Sequence, residues 1–256
     1  MSLSVRASKE VERISAFILK TVMDAHAHGV VVGLSGGIDS AVVGALCVRA
    51  LGNDRVLGLL MPSDHTPRQD LEDARKLANS WGIRREETPI SGLVEAITES
   101  TKEKGTRVAK ANVQARVRMI LNYYRANSLG YLVAGTGDRS EELIGYFTKW
   151  GDGGADFLPI AHLYKTQVRD LGAYLGLPRA VVEKPASPQL WTGQKAIDEI
   201  PASYERLDIA LHCLYDLRAK PAEAAAAARL PLSVVNKVLD MHVKTEHKRK
   251  LPPSLA

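Results

Sequence analysis

Cysteine is scarce in this chain: its 256 residues hold two, Cys47 and Cys213. That excludes a disulfide scaffold and any multi-cysteine zinc or iron–sulfur site. Long apolar runs are missing too, since residues 30–34 and 56–61 fall far short of the ~20 that a membrane span requires. The opening MSLSVRASKEVERIS mixes Glu with Arg and Lys and has no apolar signal core. The expectation is a cytoplasmic, reducing setting without a membrane partner. Aromatic residues make up only 5%, which argues against a platform that stacks single-stranded bases. What remains is ordinary globular material, 45% hydrophobic and 25% charged, so a disordered chain is excluded. The length suits one large domain or two small ones. No internal repeat is visible, and residues 1–256 read as one domain.

The 34 Lys and Arg residues outnumber 29 Asp and Glu, leaving +5 with histidines neutral. The basic excess gathers at residues 244–250 (KTEHKRK). A mildly basic enzyme accounts for this; so does an anionic partner, either nucleic acid or phosphorylated small molecules.

Residues 9–27 place apolar side chains at Val11, Ile14, Ile18, Val22 and Met23, a helical spacing. The solid run VVVGL at 30–34 is too short for a helix and rich in β-branched residues, so it reads as a strand buried on both faces. A glycine-rich turn and a helical segment from residue 41 follow. The alternation continues with a strand at 56–62, a helix at 70–81 and a short polar strand near 84–90. Residues 91–124 read as largely helical, and a strand spans 131–135. Such alternation predicts an α/β fold, a Rossmann-like open parallel sheet with helices on both faces. Residues 166–175 and the last 50 residues read as helical, a C-terminal extension packed on the sheet. Residues 185–200 carry Pro188 and Gly193 with little periodicity and read as a mobile loop.

The strongest chemical signal is Ser35-Gly36-Gly37-Ile38-Asp39-Ser40, between a buried strand and a helix. Glycines let backbone N–H groups approach a ligand, and the helix N-terminus favours an anion. Where a Walker loop has its lysine, this loop has Asp39. A carboxylate beside phosphates is repulsive unless a divalent cation lies between them, so the loop predicts Mg²⁺ with a polyphosphate. A plain tight turn with Asp39 capping the helix is the alternative.

SGGIDS resembles the pyrophosphatase loop of the N-type ATP pyrophosphatases. Further segments are similar to NAD synthetases in particular. Residues 112–119 (NVQARVRM) resemble their NxxARxRM segment, and residues 135–141 (GTGDRSE) their GT…SE turn. Residues 145–156 (GYFTKWGDGGAD) match their G-[YF]-x-T-K-[YW]-G-D-G-x-x-D block, and Glu246-His247-Lys248-Arg249 matches their terminus. The resemblance runs from about residue 10 to the end. It implies ATP-dependent amidation of deamido-NAD by ammonia through an adenylate, in a homodimer with the dinucleotide at the subunit interface. Glutamine-using relatives carry an additional domain, for which this chain has no room before residue 10, so free ammonia is expected.

Residue by residue, the resemblance implies ATP binding by Leu34, Ser35, Gly36, Gly37, Ile38, Asp39, Ser40, Thr136, Lys165 and Ser187. It implies Mg²⁺ at Asp39 and Glu141, with Asp39 and Lys165 in catalytic roles. Deamido-NAD is assigned to Arg116, Lys149, Asp156, His247 and Lys248. On a helix Asn112 and Arg116 share a face whereas Arg118 points roughly the opposite way; Arg118 is therefore expected in a surface or interface salt bridge. Ser187 replaces the threonine of many relatives and keeps its hydroxyl. Asp198 and Glu199 receive no role, because the motif around them departs from the family's pattern.

Two rival readings remain. Residues 224–229 and 233–242, broken at Leu230-Pro231 and followed by the basic tail, have a helix–turn–helix rhythm. Only Asn236, Lys237 and His242 could read base edges there, so a nucleic-acid partner is not expected. The other is a tRNA-modifying or GMP-synthesising pyrophosphatase. The first of these generally needs reactive cysteines, whereas Cys47 and Cys213 sit in segments that read as buried helices.

Overall fold

The computed structural model describes residues 3–255. Helix α1 (Ala7–Asp24) leads into β1 (Gly29–Gly33), followed by α2 (Ile38–Leu51), β2 (Val56–Leu60), α3 (Arg68–Ser80) and β3 (Arg84–Glu87). Helices α4 (Ser91–Glu99) and α5 (Arg107–Leu129) precede β4 (Tyr131–Ala134). The remainder is helical: α6 (Arg139–Ile144), α7 (Lys165–Tyr174), α8 (Arg179–Val182), α9 (Tyr204–Leu211), α10 (Pro221–Ala228), α11 (Leu232–Lys244) and α12 (Glu246–Arg249).

The elements lie where periodicity places them, with most ends shifted by a turn or less. The stretch expected as largely helical at 91–124 divides in two. Thr106 starts the second helix as a true N-cap, its hydroxyl accepting from Ala109 N at 3.1 Å.

All strand pairs are parallel, in the order β3-β2-β1-β4. Alternation sends Val30 and Val32 into one core layer with α1, α2 and α7, and Val31 into another with α4 and α5. Each Val or Leu so buried contributes about 1.5–3 kcal/mol. The edge strand β3 (RREE) is charged, and Arg125 of α5 grips Glu86 with two bonds of 2.6 and 2.7 Å. Such charges protect an edge against pairing with another chain. No helix among the described residues is long and apolar enough to cross a membrane.

From β1 the chain builds outward through β2 to β3, then returns to lay β4 on the other side of β1. The strand order therefore reverses between β1 and β4, and crevices at such points receive ligands beyond the strand carboxyl ends. The turns that follow these two strands carry the SGGIDS and GTGDRSE segments.

Candidate active site

The loop after β1 is stapled from within. Ser40 Oγ donates to Gly37 O at 3.1 Å and accepts from Ser35 N at 3.2 Å, while Gly37 N donates to Ser35 Oγ at 3.2 Å. Gly36 has φ +77°, and a Cβ there would lie 2.1 Å from the Asp70 carbonyl oxygen. Both backbone and space demand glycine. Ser40 is buried, and its hydroxyl braces the loop from within. Leu34, Ser35, Gly37, Ile38 and Asp39 line a cavity of about 430 Å³ between the strand ends.

Beneath this loop lies Lys165, the first residue of α7, with no exposed surface. Its Nζ is 2.7 Å from Asp39 Oδ2, 2.7 Å from Asp138 Oδ2 and 2.9 Å from Glu141 Oε1. Burial pulls the ammonium pKa down, but Asp138, Asp39 and Glu141 outweigh it and leave it well above the ordinary lysine value. Burial also lifts Glu141 well above the usual carboxylate range, and Asp138 and Asp39 add to this against the pull of Lys165. Three carboxylates thus share a single ammonium. Ligand oxygens of Asp39, Asp138 and Glu141 lie within 4.8 Å of one another, and Asp39 Oδ1 is buried without a hydrogen-bond partner. Asp138 Oδ2 touches Lys165 but lacks hydrogen-bond alignment. An all-oxygen donor set with an orphaned, buried carboxylate oxygen fits a hard divalent cation.

Asp138 is the member that sequence reading left without a role. Its Oδ1 caps α6 by accepting from Glu141 N at 2.8 Å, a D-x-x-E pattern legible in the sequence. Its second oxygen turns to Lys165 only because α7 returns over α6. Ser140 helps that return, since its Oγ accepts from Lys165 N at 2.9 Å and donates to Asp208 Oδ1 at 2.7 Å.

The expectation of a mobile loop at 185–200 gives way to a bonded wall of the cavity. Ser187 Oγ donates to Gln194 O at 2.6 Å, Gln114 Nε2 to Leu190 O at 2.7 Å, and the Arg107 guanidinium lies over the Trp191 ring. Ser187 and Thr136 both line the cavity, as does Glu199. Arg118 corrects another expectation: it forms no salt bridge among the described residues and lines the cavity from α5. Its Nε donates to Met61 O at 3.2 Å, and burial pushes the guanidinium down to about 10 despite nearby Asp152. A 100° helical wheel misplaced it because the loop after β2 closes over that side of α5.

The residues assigned to deamido-NAD divide. Lys248 lines the cavity, its Nζ donating to Gly145 O at 2.7 Å and Phe147 O at 2.6 Å. Arg116, Lys149 and His247 are linked outside it: Arg116 donates to Lys149 O at 3.3 Å and Lys149 Nζ to His247 O. Asp156 ties down β4, accepting from Val133 N at 2.7 Å and Tyr123 OH at 3.1 Å. The basic tail thus folds back on α6, where Arg249 also donates to Glu142 O at 3.1 Å. His242, a candidate base reader, gives its Nδ1 to Leu143 O at 2.7 Å. Both cysteines are buried, and burial pushes the Cys47 thiol up to about 12.

A parallel sheet with a phosphate-type loop at its switch point and a buried lysine–carboxylate cluster beside it defines a nucleotide-binding α/β enzyme. The chain belongs to the NAD synthase family, whose model matches residues 10–252. It is 51% identical over 242 residues to the NH(3)-dependent NAD(+) synthetase of Hyperthermus butylicus, covering 94% of this chain and 88% of that one. The structure resembles the NH3-dependent NAD synthetase from Campylobacter jejuni, solved with nitrate (TM-score 0.85, 32% identity, 98% and 100% covered). It resembles equally the NMN synthetase from Francisella tularensis (TM-score 0.88, 33% identity, 98% and 99% covered). This family membership sets aside the tRNA-modifying and GMP-synthesising alternatives.

Proposed function

We propose that the chain, like relatives named NH(3)-dependent NAD(+) synthetase, makes NAD, and that it does so by ATP-dependent amidation of deamido-NAD with ammonia, releasing AMP and pyrophosphate. The observation that carries this reading is that Asp39 and Glu141, the two cluster members bonded to buried Lys165 that line the cavity, stand beside the β1 loop. In the first step a carboxylate oxygen of the nicotinate attacks the α-phosphorus of ATP and pyrophosphate leaves. Ammonia then adds to the acyl carbon of the adenylate, AMP departs, and a proton is lost from nitrogen. No side chain becomes a covalent nucleophile, so positioning and charge stabilisation supply the catalysis.

Each residue has a task in that scheme. The β1 loop and Thr136 hold the nucleotide, with Ser187 on the opposite wall. Lys165, kept charged by its carboxylates, lies buried behind Asp39 and Glu141 on the cavity wall, and its positive charge acts on the phosphates from there. Asp39 and Glu141 would hold Mg²⁺, with Asp138 completing the donor set. The cation would neutralise phosphate charge. Lys248 holds the Gly145–Phe147 corner against the nicotinate half of the dinucleotide, while Arg116, Lys149 and His247 meet its exposed end. Asp156 acts through β4.

A homodimer suits this arrangement. Arg116, Ile120 and Tyr124 recur every fourth residue and are exposed along one face of α5. A second copy laid there would cover the two apolar side chains and bring the dinucleotide's exposed end to the interface. Sedimentation in solution should then give twice the mass of the chain.

The deciding experiment incubates purified protein with ATP, Mg²⁺, ammonium and deamido-NAD and follows NAD by mass spectrometry. A parallel arm supplies nicotinate mononucleotide, because one structural neighbour bears an NMN synthetase name. NAD formation that requires ammonium is expected. Amidation of the mononucleotide alone, or no amide product, would overturn the reading.

A further inference from the structure

Lys184, assigned no role so far, opens the wall at 184–199 and is drawn to the phosphate loop. Its Nζ donates to Gly36 O at 2.9 Å, Asp70 Oδ1 at 2.7 Å and Asp73 Oδ2 at 2.6 Å. An ammonium has three donors, and all three are spent here. Lys184 lines the cavity without a hydrogen left to give a phosphate.

Its partners belong to two different elements. Asp70 and Asp73 stand one turn apart at the start of α3, and both are buried. Burial pushes Asp73 up, but Lys184 and Gln69 outweigh it and hold its carboxyl below the usual range. Gly36 belongs to the loop itself. The Gly36–Gly37 peptide is planar and trans, so directing Gly36 O towards Lys184 directs the Gly37 N–H the opposite way. That N–H meets Ser35 Oγ, which leaves the peptide at the apex of the loop held from both sides. Gln189, farther along the same wall, donates to the other oxygen of Asp70.

We propose that Lys184 is a positioning residue for the triphosphate, fixing the Gly36–Gly37 peptide and screening Asp70 and Asp73, so that the phosphate loop is shaped only when the 184–199 wall is seated. The proposal rests on ATP occupying the β1 loop. Without the ammonium, two buried carboxylates lie unscreened behind a loop that must accept a polyanion. Their repulsion weakens ATP binding while the dinucleotide's outer contacts stay intact.

The test measures equilibrium binding of Mg·ATP and, separately, of deamido-NAD to the parent, Lys184→Met, Lys184→Arg and the double variant Lys184→Met/Asp73→Asn. Lys184→Met should weaken ATP binding by about tenfold or more, with deamido-NAD binding within about twofold of the parent. Lys184→Arg, which keeps the charge, should recover most of that loss. The double variant, which strands one carboxylate fewer, should recover at least about threefold. Parental ATP affinity in Lys184→Met, equal loss for both ligands, or no recovery in the double variant would each overturn the proposal. Should Lys184→Met fail to fold, the double variant and Lys184→Arg carry the same comparison, with ATP loss in the former and its recovery in the latter. Binding does not depend on turnover. A parent that binds ATP without forming NAD therefore overturns the proposed reaction, while these variants still decide the role of Lys184.

Discussion

Lys165 Nζ sits 2.7 Å from Asp39 Oδ2, although 126 positions separate the two residues in the chain. The pair joins the helix that follows β1 to the helix that begins beyond β4, across the switch point of the sheet. Replacing Lys165 by Met would leave Asp39, Asp138 and Glu141 facing one another without a cation. Breaking a buried pair on one side costs about 3–5 kcal/mol. Thermal unfolding should record that loss, and added Mg²⁺ should restore part of it. Pyrophosphate release should disappear at any Mg²⁺ concentration, since the positive charge behind the phosphate site is gone.

The carboxylates should behave differently. Asp39→Asn and Glu141→Gln each leave Lys165 with two carboxylate partners, so melting temperature without Mg²⁺ should change little. Pyrophosphate release should fall by about 100-fold, the scale of losing a main electrostatic contact in a transition state. Normal release in both variants would remove them from the cation site.

Asp208 supplies a pH dependence. Burial raises its carboxyl to about 6, against the hydrogen bonds from Ser140 and Thr166 that pull it down. Its unfolded value is 3.8. A group raised on folding favours the folded state below the unfolded pKa and loses that contribution as pH climbs to the folded value. The loss therefore falls between pH 3.8 and about 6, and it is worth about 3 kcal/mol at 1.36 kcal/mol per pH unit. Subtracting the Asp208→Asn curve from the parent's, by denaturant unfolding across this range, should isolate a decline with rising pH. A flat difference would show that Asp208 is ionised without penalty.

Within the tail, Lys248 and His247 should separate. Lys248→Ala removes an ammonium from the Gly145 and Phe147 carbonyls, where charged hydrogen bonds contribute about 1.5–3 kcal/mol each. It should raise the KM for deamido-NAD several-fold more than that for ATP. His247→Ala removes an exposed ring outside the cavity and should have a smaller effect on the same constant. Equal KM values in both variants and the parent, at limiting deamido-NAD, would leave the tail as a structural brace of α6.

Much of the site was legible because its parts are local. A β-branched run ending in SGGIDS states strand, turn and helix start within a dozen residues, and the D-x-x-E pattern at Asp138–Glu141 states an N-cap. Buried strands and amphipathic helices follow likewise from side-chain period, which depends only on neighbours along the chain. Arg118 escapes a helical wheel and Lys184 carries no local motif, because the surroundings of both come from segments remote in sequence. Lys184 meets Asp70 and Asp73 from more than a hundred residues away. Side-chain period and local motifs suffice for the α/β alternation, the phosphate loop and the family. Tertiary structure alone decided that three carboxylates share Lys165, that the 184–199 wall ends on Gly36, and that the basic tail caps α6. Charges act through distance in space, and parallel strands with long crossovers make that distance unrelated to separation along the chain.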